Sequence, residues 1–149
     1  MSSIITQSSK SIFFIIGIWL LSSCSASKSS GWFSSTNNEA GWTEVLIASH
    51  IKYDLAWDDV SAIIIRRFEP EMINKETGYI RTKWKYNWNS DGKETKNYRV
   101  RVTIKMSEQR KKVQINAEAQ SLHKKTWMTG YDTELLSVMK QDITGVIGS

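Results

Sequence analysis

The chain has 149 residues, 40% of them hydrophobic and 23% charged, with a formal net charge of +5. That length holds one ordinary domain and excludes a two-lobed enzyme. One cysteine excludes an internal disulfide framework, and two histidines leave no zinc cluster of the Cys/His kind.

Residues 1–10 carry a single charge, Lys10, and lead into an apolar run from Ile12 to Leu21. A membrane-spanning helix needs about 20 apolar residues, roughly twice what this run offers, so the stretch is expected to be the h-region of an export signal. Leu21-Ser22-Ser23-Cys24 follows directly and resembles the lipobox of bacterial lipoprotein signals. The resemblance implies a signal peptide over 1–23, cleavage between Ser23 and Cys24, and lipidation of Cys24. Several acyl chains on one residue exceed the two-signal threshold for stable membrane attachment. The alternative, a free thiol in a serine-rich tail, gives Cys24 no packing role. Ser25, standing where an aspartate would retain the protein in the inner membrane, points by the same analogy to the outer membrane.

Residues 24–41 are rich in serine, glycine and asparagine and show no apolar period, which reads as a tether with a reach of roughly 20–25 Å. Trp32-Phe33 interrupts it, either as an aromatic pair at the domain or lipid surface or as a short docking peptide.

The domain spans 42–149. Glu44 to Ile51 predicts a first strand. Asp54 offers a helix cap, and Ala56, Trp57, Val60, Ile63 and Ile64 recur at helical spacing, with Asp58 and Asp59 early and Arg66 and Arg67 late, as the helix dipole favours. Pro70 stops what precedes it. A short strand around Met72 and Ile73 leads to a turn through Asn74–Gly78.

Three longer strands follow. Ile80, Thr82, Trp84, Tyr86 and Trp88 alternate with Tyr79, Arg81, Lys83, Lys85 and Asn87; Tyr98, Val100, Val102, Ile104 and Met106 alternate with Arg99, Arg101, Thr103 and Lys105; Val113, Ile115, Ala117 and Ala119 continue the period. Parity requires an odd loop around Asp91-Gly92, with Gly92 left-handed, and an even loop in the second hairpin, which Ser107–Arg110 provides. That register sets Ile104 opposite Val113 and Arg99 opposite Glu118. A last helix, capped by Asp132 or Thr133, carries an apolar stripe of Leu135, Leu136, Met139, Ile143, Val146 and Ile147 that can cover the sheet.

No catalytic constellation is present: no glycine-rich phosphate loop, no nucleophile elbow and no histidine pair at ligand spacing. His50 and His123 read as surface or edge residues. Asp58 and Asp59 adjoin on one helix and point in different directions, so they form no paired-carboxylate site. Neither enzyme activity nor a metal or other cofactor is expected.

Charge is unevenly spread. Arg81, Lys83, Lys85, Arg99, Arg101 and Lys105 are expected on the solvent side of neighbouring strands, with Glu118 the one acid among them, while Trp84, Tyr86 and Trp88 are expected on the covered side. Either register of the first hairpin sets Lys83 against Arg99 or Arg101, a mildly destabilising juxtaposition. The plain reading is a solvated face whose lysines also guard the sheet edges. The sharper one is an anionic partner: a protein, lipid phosphates or lipopolysaccharide. An exported protein does not meet nucleic acid, so none is expected.

Trp57-Asp-Asp-Val60, Ala62, Phe68, Ile73 and Gly78-Tyr-Ile80, with a following strand pair and a C-terminal helix, resemble the helix-grip domains of the BamC lipoproteins of the outer-membrane β-barrel assembly machinery. The lipoproteins that plug the lipopolysaccharide-export barrel, typified by LptE, are similar in layout. The fold class expected is α+β: a single small domain with an antiparallel sheet of about four to five strands and two helices on one face, helix-grip-like, in the order β-α-β-β-β-β-α. The resemblance implies a non-enzymatic, lipid-anchored envelope protein, facing the periplasm from the outer membrane, that assists an outer-membrane protein complex. A lipoprotein that binds or transports lipopolysaccharide or anionic lipid through the basic face is the alternative.

Overall fold

A computed structural model describes residues 33–34, 41–86, 88, 96–109 and 111–148, and the statements below concern these residues. Two long strands form the centre, β6 (Tyr98–Ser107) and β7 (Lys112–His123), paired antiparallel from Tyr98 opposite Ser121 to Ser107 opposite Lys112. Each long strand carries two short ones end to end along its other edge. On β7 these are β2 (Trp42–Leu46) and β8 (Thr126–Asp132); on β6 they are β4 (Tyr79–Thr82) and β5 (Lys85–Tyr86). β3 (Pro70–Asn74) lies outside β4, and β1 (Phe33–Ser34) pairs with the end of β8.

Alternation along β6 and β7 decides which face is covered. Val100, Val102, Ile104 and Met106 meet Ala119, Ala117, Ile115 and Val113 across the pair, and all are buried with Val45 and Ile80. Two helices close this face. α1 (Tyr53–Arg67) buries Ala56, Trp57, Val60 and Ile64, and α2 (Thr133–Ile147) buries Leu135, Met139, Ile143 and Ile147, a stripe with a strict spacing of four. Burial of each large side chain contributes about 1.5–3 kcal/mol, so the helices and sheet stabilise one another. Arg67 and Asp142, 2.7 Å apart, also tie α1 to α2.

The α+β class, the antiparallel sheet and the two helices on its inner face agree with the sequence. The strand count does not: the sheet has eight strands, not four to five, and β1, β5 and β8 lengthen the expected order. β8 is covered by β1 only at its last two residues and leaves Thr126, Met128 and Thr129 exposed, so it lacks the apolar alternation that marks the central strands. The first strand is earlier and shorter than Glu44–Ile51, with Ile47 left in an isolated bridge to Gly148. α1 starts on Lys52 without a side-chain cap, and Asp54 instead pairs with Lys75 at 3.0 Å. Of the two expected caps, Asp132 is the one that serves α2, its Oδ1 accepting from the Leu135 N–H at 2.8 Å.

The expected strand over 79–88 is broken at Lys83. Pairing with β6 runs through Arg81 opposite Thr103 and resumes at Lys85 opposite Val100, so one extra residue sits between the two segments. There the Thr82 hydroxyl accepts the Val102 N–H at 2.9 Å, standing in for a strand carbonyl. One inserted residue reverses the faces of the paired residues that follow it, Lys85 and Tyr86. The second hairpin has the even loop that parity demands, but it is Glu108–Lys111, one residue further along. Ile104 therefore faces Ile115, and Arg101, not Arg99, faces Glu118. The Asp91-Gly92 turn lies outside the described residues.

Gly78 ends the turn after β3 at φ +64°; a Cβ there would stand 2.3 Å from the Met106 carbonyl oxygen and 2.8 Å from the Tyr53 hydroxyl. Gly145 in α2 has nothing within 4 Å of such an atom. Gly78→Ala should lower unfolding free energy by more than about 1 kcal/mol, whereas Gly145→Ala should raise it by about 0.5–1 kcal/mol. Urea unfolding of the two variants checks this opposition.

Candidate functional site

The helices leave the other face of the sheet open. Arg99, Arg101, Thr103 and Lys105 of β6 project there beside Gln114, Asn116, Glu118 and Gln120 of β7, with Tyr79 and Arg81 of β4 alongside. Four of the six cations expected on this face are on it: Arg81, Arg99, Arg101 and Lys105. Lys83 and Lys85 are not. Lys83 pairs with Glu69 at the sheet edge. Lys85, turned inward by the extra residue, donates its Nζ proton to the Arg67 carbonyl at 2.8 Å and lies 5.1 Å from the centre of the Phe68 ring. It thereby satisfies a carbonyl at the C-terminus of α1, where a cation is favoured.

The same reversal brings Trp84 and Tyr86 out, contrary to the expectation that they are covered. Trp88 alone of the three stays beneath, its indole N–H donating to the Asp132 Oδ2 at 2.6 Å. On the open face, Trp84 receives two guanidiniums: Arg101 lies 4.4 Å and Arg99 4.8 Å from its ring centre. Arg99 also stacks on Trp127 of β8 at 4.3 Å, and Tyr86 meets Trp127 edge-on at 6.4 Å. The result is a ladder, Arg101–Trp84–Arg99–Trp127, with Tyr86 at its flank. Lys105 repeats the motif on Trp42 at 4.7 Å.

Hydrogen bonds fix the two arginine rungs. Arg99 donates from Nε and Nη2 to the Gln120 Oε1 at 2.9 and 2.6 Å, and from Nη1 to the Tyr86 hydroxyl at 3.3 Å. Arg101 grips the Glu118 Oε2 from Nε and Nη2 at 2.8 and 2.6 Å. That pair is largely shielded, with side chains 17% and 24% exposed, so solvent screens it less than an ordinary surface ion pair. The expected clash of Lys83 with Arg99 or Arg101 does not arise, because Tyr86 stands opposite Arg99. Nor is Glu118 the only acid: Glu44 accepts from Lys112 and Gln114, and Glu71 lies 3.4 Å from Arg81. Beside the ladder is an open cleft of about 370 Å³, walled by Trp42, Tyr79 and Tyr131 and floored by Arg101, Thr103 and Asn116.

Beneath the face, the buried Asp132 carboxylate accepts at Oδ2 from Trp88 and, at 2.6 Å, from the Tyr98 hydroxyl. Burial, then the bond to Asp132, raises the Tyr98 pKa far above its ordinary value of 10.0, so the phenol keeps its proton and remains a donor.

His50 and His123 are both exposed, at a turn and at the end of β7. Among the described residues no group of three His, Cys, Asp or Glu could hold a metal, and no helix is long and apolar enough to cross a membrane. Asp58 and Asp54 share Lys75, at 3.4 and 3.0 Å, which pins the turn after β3 to α1. The expected cleavage junction Ser23–Cys24 and lipidation residue Cys24 lie outside the described residues.

No protein-family model matches this chain, and no curated protein matches its sequence. The functional reading rests on the residues themselves.

Periodicity alone misses Trp42, Trp84, Tyr86 and Trp127 as members of the open face. The available signal is compositional: seven tryptophans in one small chain exceed what its core requires. A double-mutant cycle of Trp84→Leu with Arg99→Gln should return a coupling of about 0.5–2 kcal/mol in urea unfolding; additive effects would mean that the stack contributes nothing.

Proposed function

We propose that this chain is a lipid-anchored envelope protein, tethered through Cys24 and facing the periplasm. Its helix-grip-like domain docks, without catalysis, on an outer-membrane protein complex as an accessory or assembly factor. The observation that carries the docking is the Arg–Trp ladder on the open sheet face. Tryptophan, tyrosine and arginine dominate the energetic centres of protein interfaces. Side chains already held in place lose little further freedom on binding; Arg99 and Arg101 are held by stacking and hydrogen bonds, and Trp84 by the two guanidiniums stacked on it. The absence of a converging set of nucleophile, base and oxyanion donors on the same face favours binding over chemistry among the described residues.

The alternative is capture of lipopolysaccharide or anionic lipid. The observation in its favour is that Arg81, Arg99, Arg101 and Lys105 share one face beside an aromatic-walled cleft. Against it, Glu118 and Glu71 lie against Arg101 and Arg81 and reduce the field the face presents.

Affinity isolation of the lipidated protein from gently solubilised envelopes separates the two. Recovery of a β-barrel or other envelope complex should fall at least tenfold for Tyr86→Ala with Arg99→Ala, and should be lost or weakened for Cys24→Ala. Arg81→Glu with Lys105→Glu should leave it largely intact. Recovery of lipopolysaccharide alone, abolished by the charge reversals, would overturn the protein-docking reading.

A further inference from the structure

β7 and β8 are joined by a two-residue loop, Lys124-Lys125, between the paired residues His123 and Thr126. Both lysines have positive φ, 46° and 68°, as a type I′ hairpin turn demands at its two central positions. Asn-Gly forms such a turn readily, whereas a long side chain with a Cβ is strained at each position. Two consecutive lysines there place charge at the tip at a conformational cost. Strain of this kind is a pointer to use.

The surroundings of the tip are suited to one kind of partner. The N–H of Leu122 donates to the Asn97 carbonyl at 2.7 Å, which brings the exposed Lys96 to the same end of the sheet. No acidic residue occurs between Ala119 and Tyr131. Met128 is 46% exposed, and the half-buried Trp127 beside it in β8 meets the 43% exposed Tyr86 edge-on from the other face of the sheet. Lysines around an amphipathic aromatic and an exposed apolar side chain are the composition of a membrane–water interface.

Chain length agrees. β1 pairs Phe33 with Asp132, at the far end of β8 from the tip. Eight residues lie between Cys24 and Phe33, a span of at most about 30 Å when extended, and β8 covers only about 20 Å from Thr126 to Asp132. A lipid on Cys24 therefore lies within reach of a bilayer that also touches the tip.

We propose that the β7–β8 hairpin tip, through Lys124, Lys125 and Lys96, rests on the anionic lipid headgroups of the membrane that holds the anchor. This contact orients the domain. The inference rests on the lipid-anchor reading; its three lysines lie outside the Arg–Trp ladder and the cleft, while Trp127 and Tyr86 belong to the adjoining end of the ladder.

The test uses the chain from residue 24 onward, which holds every described element, with Cys24→Ala so that no acyl chain contributes. Partitioning is measured by co-sedimentation with vesicles of pure phosphatidylcholine or with 30% phosphatidylglycerol. The protein should favour the anionic vesicles and lose that preference in high salt. Lys124→Asn with Lys125→Gly should weaken anionic partitioning about 30-fold, the effect of two surface cations, while raising the melting temperature, because the strained turn is relaxed. Lys105→Asn, on the open face, should change partitioning little.

Equal partitioning into both vesicles, or a double variant that partitions like the parent, would overturn the proposal. Loss through Lys105→Asn instead would assign lipid binding to the sheet face and overturn it as well. Radiolabelled palmitate incorporation into the wild type and not into Cys24→Ala tests the anchor separately, so the two readings can fail independently.

Discussion

The carboxylate of Asp132 joins β6 and Trp88 to the junction of β8 with α2. It is fully buried, it terminates β8, and it opens α2. One oxygen caps the helix and the other receives the Trp88 indole and the Tyr98 phenol at 2.6 Å each. Three donors and the positive end of a helix dipole take the place of a counter-cation. A buried charge without such partners costs several kcal/mol. α2 therefore starts where it does, its stripe from Leu135 to Ile147 falls on the inner face, and the outer face is left free.

That free face owes its character to a single inserted residue. With regular alternation through Lys83, Trp84 and Tyr86 would fall under the helices and Lys85 among the outer cations. The break at Thr82–Lys83 exchanges them. The inward lysine then serves the C-terminus of α1, and the outward rings separate guanidiniums that would otherwise face only one another. A row of arginines that reads as a source of repulsion becomes a stack of alternating charge and π-system, with Glu118 and Gln120 holding its edges. The face is thus rigid and partly neutralised, and that combination favours a docking surface over a diffuse anion trap.

Much of this was legible in the residues. The helices follow from their apolar spacing, the cap of α2 to within the pair Asp132 and Thr133, and β6 and β7 from unbroken alternation. The β6–β7 register was legible only to within a parity class: both possible four-residue loops satisfy it, and Lys111 at φ 45° closes the later one. β8 was not legible, since an edge strand with Thr126, Met128 and Thr129 exposed carries no two-residue period. The break at Lys83 was not legible either, because an alternating pattern looks the same whether or not the chain pauses within it. Four cations of the open face were placed correctly from parity; Trp84 and Tyr86 were placed on the wrong side for that one reason, and Trp42 and Trp127 were assigned to no face.

Photo-crosslinking in living cells tests the central claim, docking through the ladder face, most directly. Tyr86 and Leu55 are both exposed, one on the ladder and one on α1, and each can be replaced by a photoreactive phenylalanine analogue. The account predicts a discrete crosslinked envelope protein from position 86 and none from position 55. Crosslinks from position 55 with none from position 86 would contradict it and move the docking surface to the helices.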